Sequence, residues 1–369
     1  MEHVFWLEHH PRSISGLIEY LSKEDKVYCV CYDDDIFENR SSMGWSNDEF
    51  SNVEFIYLNR LPNSHEFLIK FCETHNDSIN YIMGIRSGNI SGVVQRYLLS
   101  LKKKKIFMIA ERPYFYGKNR FESFLLRLLY RWYGFKYQNK ITGVFAMGNM
   151  GVESYKKWSH GNVFPFLYPR FNNFEPNKQV SALTPIKALY VGQLDYRKGI
   201  DILIDVFNNL PSTIHLDVVG GNGNIQDKIK EKISNTPNVT FLGVWPSNDV
   251  ARNMSSYDVC IVPSRYDGWG MNVMEALEAE VGVITTDQTG SKDLIYASGA
   301  GMVVKAGSFE ELNKVLFEVV KNPSLTKEWK SKAREYKGRI SQETVGSYVR
   351  NIVISSNSRY MLSVKCPWL

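Results

Sequence analysis

Residues 188–210, ALYVGQLDYRKGIDILIDVFNNL, decide the fold class. The first four residues are an apolar run of the kind that forms a buried strand, and from Ile200 the apolar residues recur at helical spacing. A turn of eight residues, which begins with Gly192 and ends with Gly199, joins the two patterns. A strand that leads through a short glycine-containing turn into a helix is half of a βαβ unit, and such units build parallel sheets.

The same alternation runs through the rest of the second half of the chain. Strands are predicted at Ala188–Val191, His215–Val219, Val239–Leu242, Val259–Val262, Val281–Thr285 and Met302–Val304. Helices are predicted at Ile200–Leu210, Ile225–Ser234, Asn248–Ser255, Asn272–Glu280, Ser291–Ala297 and Phe309–Asn322, the last beginning at a capping box of Ser308 and Glu311. Short loops between these elements indicate right-handed crossovers and a doubly wound parallel sheet.

The first half of the chain shows this alternation with weaker signals. Strands are predicted at Val4–Leu7, Val27–Tyr32, Glu54–Leu58, Tyr81–Gly84, Ile106–Ala110 and Gly143–Met147. Helices are predicted at Ile14–Ser22, Ser64–Thr74, Gly92–Leu101, Arg120–Tyr133 and Gly151–Ser159. We therefore expect a second Rossmann-like sheet, separated from the first by a proline-rich stretch without periodicity at Pro165–Pro185.

These patterns predict two domains. We expect an N-terminal Rossmann-like domain at residues 1–168, a linker at 169–185, a C-terminal Rossmann-like domain at 186–338, and a helix and tail at 339–369 that cross back to the first domain. The length of 369 residues agrees, because it exceeds what one hydrophobic core usually serves. Ligands bind at the carboxyl ends of parallel strands, so two such sheets facing each other present both sets of loops to one interdomain cleft, as a two-substrate transfer requires.

Composition narrows the class of protein. With 44% hydrophobic and 13% aromatic residues, the chain is neither disordered nor collagen-like. The five cysteines form no C-x-x-C pair and the seven histidines show no metal-ligand spacing, so we expect reduced thiols and no metal site. Because no apolar run reaches the roughly 18 residues of a membrane span and the N-terminus has no signal-peptide pattern, a cytoplasmic protein is predicted.

The positive charge is concentrated in one segment. Residues 96–140 contain twelve Lys or Arg and two Glu, a net charge of +10, whereas the remaining 32 basic and 37 acidic residues give −5. A basic and aromatic segment on an otherwise acidic protein indicates an anionic partner at one place. Nucleic acid is one alternative, but no nucleic-acid-binding motif accompanies the charge.

Polar motifs follow the predicted strands of the second half in a fixed order. Arg197 and Lys198 stand at a helix start, where they suit phosphate, and Val219-Gly220-Gly221-Asn222-Gly223 is a second glycine turn. In the run PSRYDGWGMNVMEAL, residues 263–277, Asp267 lies in a glycine-rich loop and Glu275 about one turn inside a helix, which aims two carboxylates at one pocket. The turn at Gly290-Ser291 offers free N–H groups for a diphosphate.

In this order the motifs resemble the donor half of the retaining family 4 glycosyltransferases, which have the GT-B architecture of two facing Rossmann domains. The resemblance covers Ile186–Leu312 and implies that Lys198 binds the donor diphosphate, Glu275 the nucleotide ribose and Asp267 the transferred sugar. Asp267 stands where the family usually has Glu, which predicts a changed sugar preference. Gln193 stands where it has Arg or Ser, so the phosphate contact is expected to depend on Arg197. The donor-binding residues that it implies are Gly192, Gln193, Arg197, Lys198, Gly221, Gly268, Trp269, Gly270, Met271, Glu275, Gly290 and Ser291.

The first half is similar to the bacterial members of this family that build O-antigen and capsule, through Ala110-Glu111-Arg112-Pro113 and Ala146-Met147-Gly148. A Gly-Gly loop that many relatives carry after the first strand is replaced here by residues 9–16, HHPRSISG. The resemblance implies that Glu111 orients the acceptor hydroxyl and joins Asp267, Glu275 and Lys198 as a catalytic residue. The residues predicted to bind the acceptor are His10, Arg12, Arg86, Glu111 and Arg112.

The basic helix predicted at Arg120–Tyr133 allows two interpretations. Its apolar residues recur at i, i+3, i+4, i+7, i+8 and i+11, which is typical of a core helix with a solvated basic face. Together with the preceding lysines, the same helix suits an anionic membrane surface. The residues predicted to contact membrane are Lys102, Lys103, Lys104, Lys105, Arg120, Arg127, Arg131 and Trp132.

From these features we expect a metal-independent, retaining transferase without a cofactor, whose donor is a UDP- or GDP-linked sugar. Arg197, Lys198 and the helix start at Ser291 would stabilise the departing diphosphate, which itself takes the acceptor proton. The expected acceptor is a lipid-linked carbohydrate at the inner face of a bacterial membrane. The alternatives are a GT-B nucleotide-sugar epimerase, which consumes donor without an acceptor, and a non-catalytic glycosyltransferase-like subunit.

Overall fold

A computed structural model describes residues 1–33, 50, 52–85, 90–169, 185–246, 249–356 and 364–369. The chain divides into two compact units. Among the described residues, the first unit contains 1–169 together with the helix that begins at Gln342, and the second contains 185–341. Most of the predicted linker and Arg86 lie outside the described residues.

The first unit is built on a sheet of seven parallel strands. They are β1 (Glu2–Leu7), β2 (Lys26–Cys31), β3 (Val53–Tyr57), β4 (Ile79–Met83), β5 (Lys105–Ala110), β6 (Gly143–Met147) and β7 (Val163–Phe166), in the order β3-β2-β1-β4-β5-β6-β7. Its helices are α1 (Ser15–Ser22), α2 (Ser64–Thr74), α3 (Ile90–Ser100), α4 (Arg120–Tyr137), α5 (Gly148–Tyr155) and, last in the chain, α13 (Gln342–Ser355). Consecutive residues of β1 such as Val4, Phe5 and Trp6 are buried because helices cover both faces of a parallel sheet.

The second unit contains a sheet of six parallel strands. They are β8 (Ile186–Val191), β9 (Ile214–Val219), β10 (Val239–Gly243), β11 (Val259–Val262), β12 (Gly282–Thr286) and β13 (Gly301–Val304), in the order β10-β9-β8-β11-β12-β13. Its helices are α6 (Ile200–Phe207), α7 (Gln226–Ser234), α8 (Val250–Met254), α9 (Met271–Glu278), α10 (Lys292–Ser298), α11 (Phe309–Lys321) and α12 (Ser324–Tyr336). The predicted fold class, two doubly wound parallel α/β sheets, is confirmed.

Two elements differ from the prediction. Pro165, assigned to the linker, lies in β7, which is tolerated because β7 is an edge strand and proline there costs no internal ladder hydrogen bond. Helix α12 was not predicted because its sequence is mostly polar or charged. Only Thr326, Trp329, Ala333 and Tyr336 are buried, so its apolar stripe is sparse.

The caps also differ in detail. Ser308 accepts a hydrogen bond from the N–H of Glu311, but the Glu311 carboxylate accepts from the N–H of Lys305, so the predicted capping box is only half formed. A complete capping box lies instead at the start of α4, between Asn119 and Glu122. This cap fixes the start of a helix that has few buried contacts of its own.

Both sheets reverse their strand order next to the first strand of the unit. The reversal falls between β1 and β4 in the first unit and between β8 and β11 in the second. In open α/β sheets the loops at such a point leave a crevice at the carboxyl ends of the strands. Within the described ranges, no helix has the length and apolar character needed to cross a bilayer.

Candidate functional site

The loops after β8 and β11 lie directly against each other in the second unit. After β8 the chain forms a 3-10 helix, Tyr196–Lys198. Asp195 caps the start of this helix, because the Asp195 Oδ1 accepts a hydrogen bond from the backbone N–H of Lys198 at 2.8 Å. Gly199 then starts α6 with φ of +75°, and a Cβ at this position would stand 2.0 Å from the carbonyl oxygen of Pro263. Glycine is required here because the two loops touch through their backbones.

This contact brings together two residues that were predicted to act on the donor. Lys198 Nζ lies 2.6 Å from Asp267 Oδ2, and both side chains are mostly buried. The neighbouring Arg197 has other partners: its Nη1 donates to the carbonyl of Tyr266 at 3.1 Å, and its Nη2 lies 3.7 Å from Asp195. The site therefore holds two cations and two carboxylates at the strand-order reversal.

The loop that carries Asp267 is also bound to the loop after β12. The N–H of Asp267 donates to the carbonyl of Gln288, and the N–H groups of Gly290 and Ser291 donate to the carbonyls of Asp267 and Trp269. A Cβ on Gly290 would stand 2.2 Å from the Gly268 carbonyl oxygen, so the two backbones are in contact. This bridge holds Asp267 in place from both sides.

The same bonds correct one expectation about this turn. The N–H groups of Gly290 and Ser291 were predicted to be free for a diphosphate, but both already donate within the protein. The Ser291 hydroxyl is buried and donates to the carbonyl of Gly270 at 3.0 Å. These residues hold the loop rather than offer donors, because α10 begins only at Lys292, beyond the bridge.

Helix α9 places the second predicted carboxylate. It starts after Gly270, which has φ of +90°, with Met271 in its first turn, and Glu275 lies one turn further in a buried position. Asn272 donates from Nδ2 to the carbonyl of Val191 and so ties the start of α9 to the end of β8. Trp269 is buried, and its indole N–H has no hydrogen-bond partner among the described residues.

The glycine turn after β9 supports the loop after β8. A Cβ at Gly220 would stand 1.7 Å from the Gly192 carbonyl oxygen, and one at Gly223 would stand 1.9 Å from that of Leu194. Gly221, which was predicted to bind the donor, is less crowded and accepts from the N–H of Leu194 through its carbonyl. The glycine run was a usable signal, but its contacts show that Gly220 and Gly223 are needed to pack two loops together.

Arg265 was not predicted as a site residue, but its contacts stabilise the loops of the site. Its guanidinium forms two hydrogen bonds with the carboxylate of Asp201, at 2.7 and 2.8 Å, and stacks 3.6 Å from the ring centroid of Tyr196. The backbone N–H of Arg265 donates to the carbonyl of Arg197. Arg265 lies in the same run as Asp267, so its position was visible in the sequence but its partner, 64 residues away, was not.

The predicted acceptor residues that are described lie at the ends of β1 and β5 in the first unit. The ring of His10 stacks on Phe55 at 4.8 Å, and Arg12 is buried. Arg112 is also buried, with Nη1 3.3 Å from the Met150 sulfur, whereas Glu111 is exposed.

The residues that were predicted to contact membrane differ in their exposure. The apolar stripe of α4 is exposed, with Phe121 at 69%, Trp132 at 50% and Phe135 at 76%, and only Gly134 and Tyr137 of this helix are buried. The core interpretation of α4 is therefore wrong for this stripe. The cations Lys102, Lys103, Arg120, Arg127 and Arg131 are exposed as well.

Lys104 has a different role from the one predicted. Its Nζ donates to the carbonyls of Cys72, His75 and Asn76 at 2.7, 3.2 and 3.1 Å, so it satisfies the carboxyl end of α2. Burial lowers the pKa of this ammonium group. The last lysine of the run, Lys105, begins β5 and is half-buried.

Part of this chain is similar in sequence to known glycosyltransferases. Residues 171–336 match the family model described as Glycosyl transferases group 1. The lipopolysaccharide glucosyltransferase WaaG of Escherichia coli K12 is 31% identical over 159 residues, which cover 40% of this chain and 41% of that protein. The O-antigen biosynthesis glycosyltransferase WbnH of Escherichia coli is 30% identical over 154 residues, 42% of this chain and 41% of that protein. The matches thus span less than half the length of these curated relatives.

A solved structure extends the likeness in fold to both units. The crystal structure of Anabaena HepE in complex with UDP has a TM-score of 0.71 at 15% identity and covers 96% of this chain and 100% of that chain. At this identity the likeness shows the fold alone, which is of the GT-B type. The matched segment contains Lys198, Asp267 and Glu275. The chain therefore contains a domain of the glycosyl transferases group 1 family over residues 171–336.

Proposed function

We propose that this protein transfers a sugar, with retention, from a nucleotide diphosphate donor to a carbohydrate acceptor in the synthesis of a bacterial surface polysaccharide. The observation that carries this proposal is the contact of Lys198 with Asp267 at 2.6 Å, at the point where the strand order of the second sheet reverses. A cation for phosphate and a carboxylate for sugar hydroxyls meet where a doubly wound sheet binds its ligands.

The chemistry assigns a role to each residue. The bond between the sugar C1 and the diphosphate oxygen breaks, the acceptor oxygen bonds to C1, and the departing phosphate takes the acceptor proton. Lys198 and Arg197 stabilise the negative charge that develops on the diphosphate, Asp267 accepts from sugar hydroxyls, and Glu275 accepts from the ribose. The positive charge of these side chains serves in place of a metal ion in this proposal.

Relatives guide the choice of substrates. HepE was crystallised with UDP, so we propose a UDP-sugar as the first donor to test. WaaG and WbnH are named for lipopolysaccharide and O-antigen synthesis, which suggests a growing lipid-linked glycan as acceptor. Such an acceptor is held at a membrane, and the exposed apolar stripe and cations of α4 suit the anionic inner face of the cell membrane.

The donor site is tested by titrating UDP-glucose, UDP and GDP into the wild-type protein and the variant Glu275→Gln by calorimetry. Loss of the ribose contact is expected to weaken UDP binding at least tenfold. The control Glu278→Gln, one turn later on α9, is expected to bind UDP as the wild type does. Absence of UDP and GDP binding to the wild type would contradict the proposal. Donor consumption without an acceptor, with inversion at a sugar carbon, would instead favour an epimerase.

A further inference from the structure

A cavity of about 760 Å³ lies between α4 and α5 in the first unit, which is within the range of roughly 300–1,000 Å³ for small-molecule sites. Its lining does not include any of the residues predicted to bind the acceptor, and Pro113 on its wall directly follows Arg112. Gly134 allows α4 to approach the buried indole of Trp158, since a Cβ there would stand 3.0 Å from Nε1. The loop after β5 contributes Phe115 to one side of the cavity.

The walls of this cavity combine apolar and cationic groups. Phe115, Tyr130 and Trp158 supply aromatic surface, and the guanidinium of Arg127 lies 5.6 Å from the Phe115 ring centroid. Four of the lining residues are Lys or Arg and one is acidic, Glu153, which pairs with Lys156 on the same helix turn. In the part of the chain that the structure describes, the exposed cations Arg131 and Lys157 form no ion pair.

The cavity also lies next to the exposed stripe of α4. The residues that line it include Arg127, Arg131 and Gly134, each one position before the stripe residues Leu128, Trp132 and Phe135. One position on an α-helix is a rotation of about 100°, so the cavity opens beside the stripe rather than opposite to it. A lipid whose chain lies along the stripe can therefore place its phosphate among Arg127, Arg131 and Lys157.

We propose that this cavity binds the phosphate and the adjoining hydrocarbon of the lipid that carries the acceptor. The proposal rests on the lipid-linked acceptor proposed above and assigns a separate site to its lipid part. The cationic and the aromatic residues of the wall together favour this occupant. A free phosphate ion would leave the aromatic walls uncovered, and a neutral lipid would leave the cations without an anion. Binding there would hold the lipid while the sugar end of the acceptor extends to the transfer site.

The test is calorimetric titration of the full chain with decyl phosphate below its micelle concentration, against decyl glucoside and inorganic phosphate. Decyl phosphate is expected to bind at least tenfold more tightly than either. The double variant Arg131→Gln and Lys157→Gln is expected to lose at least tenfold in this affinity. The matched control is Arg120→Gln with Lys140→Gln, which removes the same charge at two exposed positions outside the cavity.

A second variant fills the cavity instead of removing charge from its walls. Ser154 lines the cavity on the exposed side of α5, so Ser154→Phe is expected to abolish decyl phosphate binding while the protein stays folded. Equal affinity for inorganic phosphate, equal affinity for decyl glucoside, or an equal loss in the control pair would each overturn the proposal. UDP titration of the same samples reports on the donor site separately, so retained UDP binding without decyl phosphate binding refutes the cavity alone.

Discussion

At the residue scale, the ammonium group of Lys198 and the carboxylate of Asp267 form an ion pair. Their side chains are 2.6 Å apart and mostly buried, so a donor diphosphate that binds Lys198, as proposed above, must separate the pair. In this proposal Asp267 exchanges its contact with Lys198 for contacts with the sugar hydroxyls. In this arrangement the carboxylate opposes binding of the diphosphate and favours binding of the sugar.

The two variants of this pair are therefore expected to act in opposite directions on UDP. Asp267→Asn removes a negative charge next to the diphosphate and is expected to tighten UDP binding several-fold. Lys198→Met is expected to weaken it at least tenfold, and both variants should lower sugar transfer by two orders of magnitude or more. Calorimetry with UDP, next to a transfer assay, measures both effects. Lys187→Met, at the amino end of β8, is the control, and weaker UDP binding in Asp267→Asn would contradict this account.

The sequence singles out the residues that we propose for the donor chemistry, but not which of them touch. Lys198, Asp267 and Glu275 stood out because they follow strand ends in glycine-rich turns. The contact of Lys198 with Asp267 joins positions 69 residues apart, and the occupied N–H groups of Gly290 and Ser291 depend on a bridge between two loops. Such contacts depend on strand order and loop packing, which periodicity does not encode.

At the element scale, α4 is a helix with a complete capping box at its start and few buried side chains. Only Gly134 and Tyr137 are buried, whereas seven of its large apolar side chains are exposed: Phe121, Phe124, Leu125, Leu128, Leu129, Trp132 and Phe135. Exposed apolar area of this extent marks an interaction surface. The neighbouring cations, each worth about 1 kcal/mol near an anionic surface, favour a membrane as the partner.

Vesicle co-sedimentation tests this role of α4. The double variant Leu125→Glu and Leu128→Glu places two carboxylates in the stripe and is expected to lose binding to vesicles that contain phosphatidylglycerol. Wild-type binding is expected to weaken as salt rises, because salt screens the attraction of the cations. Met302→Glu with Ile354→Glu adds the same charge at two exposed apolar positions elsewhere and serves as the control. An equal loss in this control, or binding that salt does not change, would exclude a specific membrane face.

At the scale of the whole molecule, the last helix of the chain belongs to the first unit. Helix α13 packs on α1, where Gly346 leaves no room for a Cβ against the ring of Tyr20. Arg350 reaches Glu24 at 2.6 Å and Asp25 at 3.4 Å. The helix itself could be predicted from its periodicity. Its partner is set by a glycine and an aromatic ring more than 300 residues apart, and this pairing leaves no local pattern in the sequence.

The cluster around Asp25 joins the start and the end of the chain and makes the first unit sensitive to acid. His3 is fully buried, with Nδ1 3.0 Å from the Tyr81 hydroxyl and Nε2 3.3 Å from Asp25 Oδ2. Burial lowers the pKa of His3 to about 4, although Asp25 opposes this shift. The ring is therefore neutral in the folded protein, where Nε2–H donates to Asp25 and Nδ1 accepts from Tyr81.

Stability is accordingly expected to fall as the pH drops through the range between the folded and unfolded pKa values of His3. Above about pH 6.5 neither state binds the proton. Between about 6.5 and 4 only the unfolded state binds it, so the free energy of unfolding decreases by up to about 1.4 kcal/mol per pH unit. Asp25 does not interfere in this window, because its pKa is lowered and its contribution is lost only under more acidic conditions.

Urea unfolding at pH 7 and pH 5 should show a loss of roughly 2 kcal/mol in the free energy of unfolding of the wild type and a smaller loss in His3→Gln. His215→Gln, at a partly exposed site in the second unit, should keep the wild-type pH dependence, and a His3→Gln protein with that same dependence would show that another group controls the acid response.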